Sequence, residues 1–168
     1  MPSKTLIAGE QIRLIPLEDC NPDEYADRYF ENRADLLASG NSDEVKRKSQ
    51  IYSVFNRTLC SIDEGDVTSY GIHERQALIG EIAVTWFPDE PEVEYWVTSD
   101  CRGKGIATAA VETVTRGIFV ADNPSVVFRI LPSNIPSQRV VTKLGAVRVE
   151  QCSKDMSFDA WRLYRGQR

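Results

Sequence analysis

The stretch SDCRGKGIATAAV, residues 99–111, constrains this chain more than any other. Gly103 and Gly105 stand one residue apart, flanked by the cations Arg102 and Lys104, and a run of small and apolar residues follows at once. From there Ile106, Ala107, Ala110, Val111, Val114 and Ile118 fall at helical spacing to about Ala121, while the preceding VEYWVTS is rich in β-formers. A strand, a glycine loop and a helix start are therefore predicted in direct succession. The first amides of such a helix have no intrahelical partner, the helix dipole adds positive charge there, and glycine lets a ligand come close to the backbone. The junction predicts an anion site. With Arg102 and Lys104 adding mobile charge, the expected ligand carries phosphate.

The rest of the chain supplies a sheet for this junction. QIRLIPL reads as a first strand ending near its Pro, and the polar stretch from Asn21 to about Leu59 fits two helices, with Asn21 or Asp23 as caps and Ser39-Gly40 as a break. TSYGIHE and QALIGEIAVTWF read as a hairpin. After the first long helix, DNPS is a stop, and VVFRIL follows as a nearly continuous apolar strand of the kind buried on both faces. A further helix is expected from Pro136 to a left-handed stop at Gly145, and AVRVEQ with FDAWRLYR closes the chain as a strand pair. These readings give one domain, residues 1–168, of mixed α/β class with about seven strands.

Composition narrows the function. A formal net charge of −5 argues against a sequence-independent grip on nucleic acid, which needs a dominant basic surface. Cys20, Cys60, Cys101 and Cys152 form no CxxC pair, and His73 is the one imidazole, so neither a metal site nor a disulfide framework is expected. The beginning is too weakly apolar for a signal peptide and no segment approaches a membrane span, which predicts a cytoplasmic protein without membrane contact.

Two familiar phosphate loops fit poorly. A P-loop needs Lys and then Ser or Thr after its last glycine, whereas Gly105 is followed by Ile106 and Ala107. A dinucleotide fingerprint is closer, since Gly103, Gly105 and Thr108 mimic GxGxxG and Asp122 lies downstream. That acid should end the next strand, yet Asp122 precedes VVFRIL, and the motif follows about four strands instead of opening a βαβ unit.

A third reading is a resemblance. CRGKGIA resembles the (Arg/Gln)-x-x-Gly-x-(Gly/Ala) signature of the GNAT acetyltransferase superfamily through Arg102, Gly105 and Ala107. EVEYWVTSDCRGKGIATAAV resembles the strand-loop-helix of its RimJ/RimL-like branch, and NIPSQRVVTKLGA that branch's Asn-x-x-Ser helix. GEQIRLIPL and FDAWRLYR look like its first and last strands, so the likeness spans nearly the whole chain in order. It implies a central, mostly antiparallel sheet with helices on both faces, acetyl-CoA as donor and a strand that splays from its neighbour to admit the pantetheine arm. Carried over, Tyr95, Trp96 and Val97 would supply backbone contacts, amides of Arg102, Gly103, Lys104, Gly105, Ile106 and Ala107 would hold the pyrophosphate, and Asn134 would stand near the pantetheine. Asn134 can equally be a plain cap.

Acetyl transfer to an amine needs a neutral nitrogen, a polarised thioester and a proton acceptor. Glu81, Glu92 and Glu94 are the candidate bases; strand parity puts Glu94 on a face with Trp96, making it the first choice, with Glu81 second. PDEPEVE gathers acids that would attract a cationic amine. Many relatives of this type place a tyrosine acid four residues before the glycine of the last helix; here that residue is Val141. The branch's Asn-x-x-Ser offers Ser137 instead, with a first-turn serine bonding its own backbone as the bland alternative. Direct transfer to a primary amine, a peptide N-terminus or a small molecule, is the expected reaction, with a ping-pong route through Cys101 as runner-up. A module that binds acyl-CoA without turning it over is the competing class, and a dinucleotide-binding protein the remaining one. A monomer and a homodimer are both compatible with these residues.

Overall fold

In the computed structural model, which describes residues 4–9, 11–40, 45–149 and 157–166, eight strands and four α-helices follow one another along the chain. They are β1 (Leu6–Ile7), β2 (Ile12–Pro16), α1 (Pro22–Ala38), α2 (Lys48–Glu64), β3 (Val67–Glu74), β4 (Ala77–Thr85), β5 (Glu92–Val97), α3 (Ile106–Val120), β6 (Ser125–Ile130), α4 (Ile135–Lys143), β7 (Val147–Val149) and β8 (Asp159–Tyr164). One sheet holds all the strands in the order β1-β2-β3-β4-β5-β6-β8-β7, antiparallel throughout except where β5 lies parallel to β6. Cys152 and the last residues of AVRVEQ lie outside the described residues.

Local chemistry sets the helix ends. Asn21 caps α1 by accepting from the Asp23 and Glu24 amides at 2.8 and 3.2 Å, and Pro22 occupies the first turn, where its missing N–H costs nothing. The second helix runs on to Glu64, past the expected Leu59, because the first residue able to stop it is Gly65, at φ 84° in the left-handed region. Helices cover both faces of the sheet. Ala110, Val111, Val114 and Ile118 of α3 pack with Leu14, Ile72, Ile82, Val126 and Phe128 on one face; Tyr25, Tyr29, Ile51 and Phe55 pack with Leu17 and Leu78 on the other. Each of the Val, Leu, Ile and Phe side chains among them contributes about 1.5–3 kcal/mol when fully buried.

The structure refines three sequence expectations. The sheet has eight strands because Leu6 and Ile7 form a short edge strand, paired with Leu14 and Arg13, that is too brief to leave a periodic signal. The strand VVFRIL is not buried on both faces: Val126, Phe128 and Ile130 are buried, but Val127 is half-buried and Arg129 exposed. Arg129 lies beside Glu92, 3.0 Å away, and both border a polar cavity. The long hairpin strand also ends at Thr85, leaving Trp86 and Phe87 outside it.

Candidate functional site

The parallel pair β5 and β6 forms a fork. They share a single registered position, Glu92 opposite Val127, with the Val127 amide donating to the Pro91 carbonyl at 3.0 Å, and no further rung follows among the described residues. The Glu92–Arg129 ion pair sits at the closed end. On its other edge β5 pairs with β4 from Thr85–Glu92 to Gly80–Val97. The Thr98 amide donates to Ile79 on that edge, so by strand alternation the main-chain groups of Trp96 face β4 while those of Tyr95 and Val97 face the gap. Trp96 thus departs from the expected trio of backbone donors. The Val97 carbonyl is taken by Arg102 Nε at 3.1 Å, leaving its amide directed at the gap.

Beyond the open end of β5, a 3-10 turn at Ser99–Cys101 leads into the glycine loop. Gly103 and Gly105 have φ of 76° and 80°, a region in which a β-carbon is strained, so here the loop path itself demands glycine. Intrahelical bonding in α3 begins with the Ala109 amide on the Gly105 carbonyl, which leaves the amides of Ile106, Ala107 and Thr108 ahead of the ladder. The helix α1 steadies the foot of the loop: Asn32 Oδ1 accepts from the Ser99 amide at 3.0 Å, and Asp35 pairs with the Arg102 guanidinium at 3.0 Å.

A cavity of about 560 Å³ opens on this loop. Val97, Arg102, Gly103, Gly105, Ile106 and Ala107 border it from one wall, and α4 forms the other with Asn134, Ser137, Arg139 and Lys143. Lys104 is exposed on the loop and is not part of the lining. Arg139 and Lys143 went unnoticed in the sequence; their four-residue spacing marks one helix face, but nothing local says that this face looks at the loop.

A second cavity of about 520 Å³ borders β5 and β6, lined by three carboxylates, Glu81, Glu92 and Glu94, by the guanidiniums of Arg57 and Arg129, and by the rings of Tyr25, Tyr29 and Trp96. Glu81 is held by three donors: the Tyr25 hydroxyl at 2.7 Å, the Ser69 hydroxyl at 2.8 Å and the Trp96 indole N–H at 3.1 Å. Burial, with the adjacent Glu81 carboxylate, pushes the Tyr25 hydroxyl well above its ordinary range. Burial also raises Glu92, against the pull of Arg129. Glu94 is exposed. Tyr25 and Ser69 reach Glu81 from 56 and 12 residues away, so no short sequence pattern could announce them.

The two cavities meet. Leu36, Ser39, Tyr95, Trp96, Asn134 and Ser137 border both. Asn134 caps α4, accepting from the Ser137 amide at 3.3 Å, and the Tyr95 hydroxyl donates to the Ser137 carbonyl at 3.2 Å. Burial pushes that hydroxyl up to about 12, the Ser137 bond pulling the other way. Val141 is fully buried in the core and supplies no polar group. Cys101, also buried, borders the loop-side cavity and not the carboxylate side, which separates it from the candidate bases. Trp86 donates to Thr68 and borders neither cavity. Among the described residues no cluster of His, Cys, Asp or Glu is arranged to hold a metal ion, and no helix is long and apolar enough to cross a membrane.

Comparison with known proteins places this geometry. A family model described as acetyltransferase (GNAT) domain matches residues 13–147. No curated protein matches in sequence. Among solved structures, RimL, a ribosomal L7/L12 α-N-protein acetyltransferase in complex with coenzyme A, superposes with a TM-score of 0.82 at 12% identity, over 96% of this chain and 98% of that one. RimJ of Mycobacterium smegmatis, in complex with CoA-disulfide, gives 0.74 at 16% identity, over 90% and 79% of the two chains. The microcin C7 self-immunity acetyltransferase MccE, in complex with acetyl-CoA and AMP, gives 0.76 at 15%, covering 94% of each. At such identities these likenesses establish a shared fold.

Proposed function

Because the chain belongs to the GNAT acetyltransferase family, we propose that it works as a single domain, residues 1–168, moving the acetyl group of acetyl-CoA to a primary amine by direct transfer in a ternary complex. The observation that carries this reading is the fork: an unpaired edge of β5 lies between a cavity built for phosphate and a cavity lined with carboxylates, and the two communicate. A site that only stored a coenzyme would have no need of the second chamber.

The loop-side wall fits the coenzyme chemically. Unpaired amides at the start of α3, with the dipole of a 15-residue helix behind them, suit a diphosphate. The Tyr95 and Val97 amides suit an extended, amide-bearing arm, as an added strand would be held. Acetyl-CoA supplies the activated acyl group. The chain's own residues supply orientation and proton handling. An amide of β5 facing the gap is the available donor to polarise a carbonyl there.

On the acceptor side the roles divide. Glu81, whose oxygens already serve three donors, organises the chamber. Glu94, exposed on the same chamber, is the candidate to take the amine proton, directly or through water. Ser137 stands at the passage and is the candidate proton donor to the departing thiolate, the helix position of the usual tyrosine being the buried Val141. The acceptor is cationic before it reacts, in keeping with the carboxylate lining. A panel of peptide N-termini and small primary amines, read by thiol release from acetyl-CoA, tests the proposal. Turnover with at least one acceptor is expected; saturable acetyl-CoA binding with no release across the panel would instead identify a binding module.

A further inference from the structure

The cations around the loop-side cavity are not equivalent. Arg102 is engaged twice over, with the Val97 carbonyl and with Asp35, so it braces the loop. Lys104 is exposed and does not border the cavity. Arg139 and Lys143 do border the cavity, both are exposed, and neither has a hydrogen bond or ion pair among the described residues. They stand four apart on α4, on the face that Pro136 and Val140 also turn to the cavity. Like charges at that spacing repel, and no counterion for them stands among the described residues. Glu112, which shares an outer groove with Lys143, is already paired with Arg116 at 3.3 Å. Lys143 borders both that groove and the cavity, so the pair reaches the cavity's outer rim, across from the amides at the start of α3.

One anion is accounted for by those amides; two unpaired cations on the facing wall call for another. Coenzyme A carries a second phosphate besides its diphosphate, on the ribose. We infer that Arg139 and Lys143 form a separate phosphate site that reads the ribose 3′-phosphate, so that the protein distinguishes coenzyme A from 3′-dephospho-coenzyme A. The inference rests on the coenzyme reading given above. It assigns the loop to the diphosphate and α4 to the specificity for the nucleotide end, with charge-assisted bonds that suit a dianion.

Calorimetric titration of the full chain with coenzyme A and with 3′-dephospho-coenzyme A, at low and at raised ionic strength, tests it. The unsubstituted protein should bind coenzyme A at least about tenfold more tightly than the dephospho form, as expected of hydrogen bonds to a charged group. Arg139→Ala/Lys143→Ala should bring that ratio close to one while leaving the affinity for the dephospho form and the ligand-free melting temperature unchanged, and raised salt should shrink the ratio in the unsubstituted protein. Equal weakening toward both ligands would assign the cations to the diphosphate and overturn the inference, as would a ratio that survives the double substitution. If the unsubstituted protein bound neither ligand, the coenzyme reading itself would fall, and this site with it.

Discussion

The two cavities flanking β5 are close in volume and opposite in construction. The loop-side cavity owes its chemistry to the main chain: two left-handed glycines, three helix-start amides and a strand edge, all within residues 95–108. The carboxylate-side cavity owes its chemistry to side chains carried by α1, β3, β4 and β5, tied together at Glu81. A main-chain site can be kept while its side chains change, because any residue offers an amide. A side-chain site has to be assembled, and each member leaves the others unsatisfied when it goes. The division suits a family in which the donor is shared and the acceptor differs.

The largest expected effect breaks one cavity and spares the other. Gly105→Asp adds bulk and negative charge where the diphosphate would sit, and should weaken coenzyme A binding by more than about 100-fold, the loss of two or more charge-assisted hydrogen bonds. Calorimetry checks the loss. Unchanged affinity would remove the loop from the site.

Next in size is a pair of substitutions that should separate architecture from chemistry on the carboxylate side. Glu94→Gln should lower kcat by about 100-fold with the KM for acetyl-CoA and the stability little changed, as for loss of a general base. Glu81→Gln removes the charged acceptor of three hydrogen bonds and should cost about 1.5–3 kcal/mol of folding stability in chemical denaturation. Reversed outcomes, with Glu81 governing turnover and Glu94 governing stability, would exchange their roles.

The smallest effect is graded with pH. Burial raises the Cys20 thiol to about 12 from 9.0, the Tyr95 hydroxyl to about 12 from 10.0, and Tyr25 well above 10.0. Each group holds its proton more tightly folded than unfolded. Their stabilisation is therefore complete below about pH 9 and is lost as pH climbs toward 12, with protons released on unfolding. Cys20 and Tyr25 belong to the core on the α1/α2 side, so alkali should loosen the carboxylate side first. Denaturation midpoints measured across that range should fall, and Tyr25→Phe should flatten the fall; a midpoint that stays level to pH 11 would contradict the assignment.

The same contrast explains what could be read before the fold was known. The loop, the α3 stripe and the Asn134 cap are short-range features, and their residues stand next to one another in the chain. The parity that puts Glu94 with Trp96 also comes from one strand. Glu81's three donors come from separate elements, and only packing brings Tyr25 within reach of it. Arg102, expected to add charge beside the phosphate, also pairs with Asp35, a partner 67 positions earlier in numbering, because α1 docks against the loop. Arg139 and Lys143 were hidden for the same reason: which way α4 faces depends on its neighbours.

The fork has one more consequence. With Glu92 opposite Val127 the one registered position between them among the described residues, β1–β5 and β6–β8–β7 behave as two plates joined near one end, where the Glu92–Arg129 and Glu90–Arg162 ion pairs also cross the seam. An occupant that engages the bare edge of β5 adds fasteners along the seam. On the proposed function that occupant is acetyl-CoA, which would then become part of the framework, and the rigidity of the seam would rise and fall with its saturation.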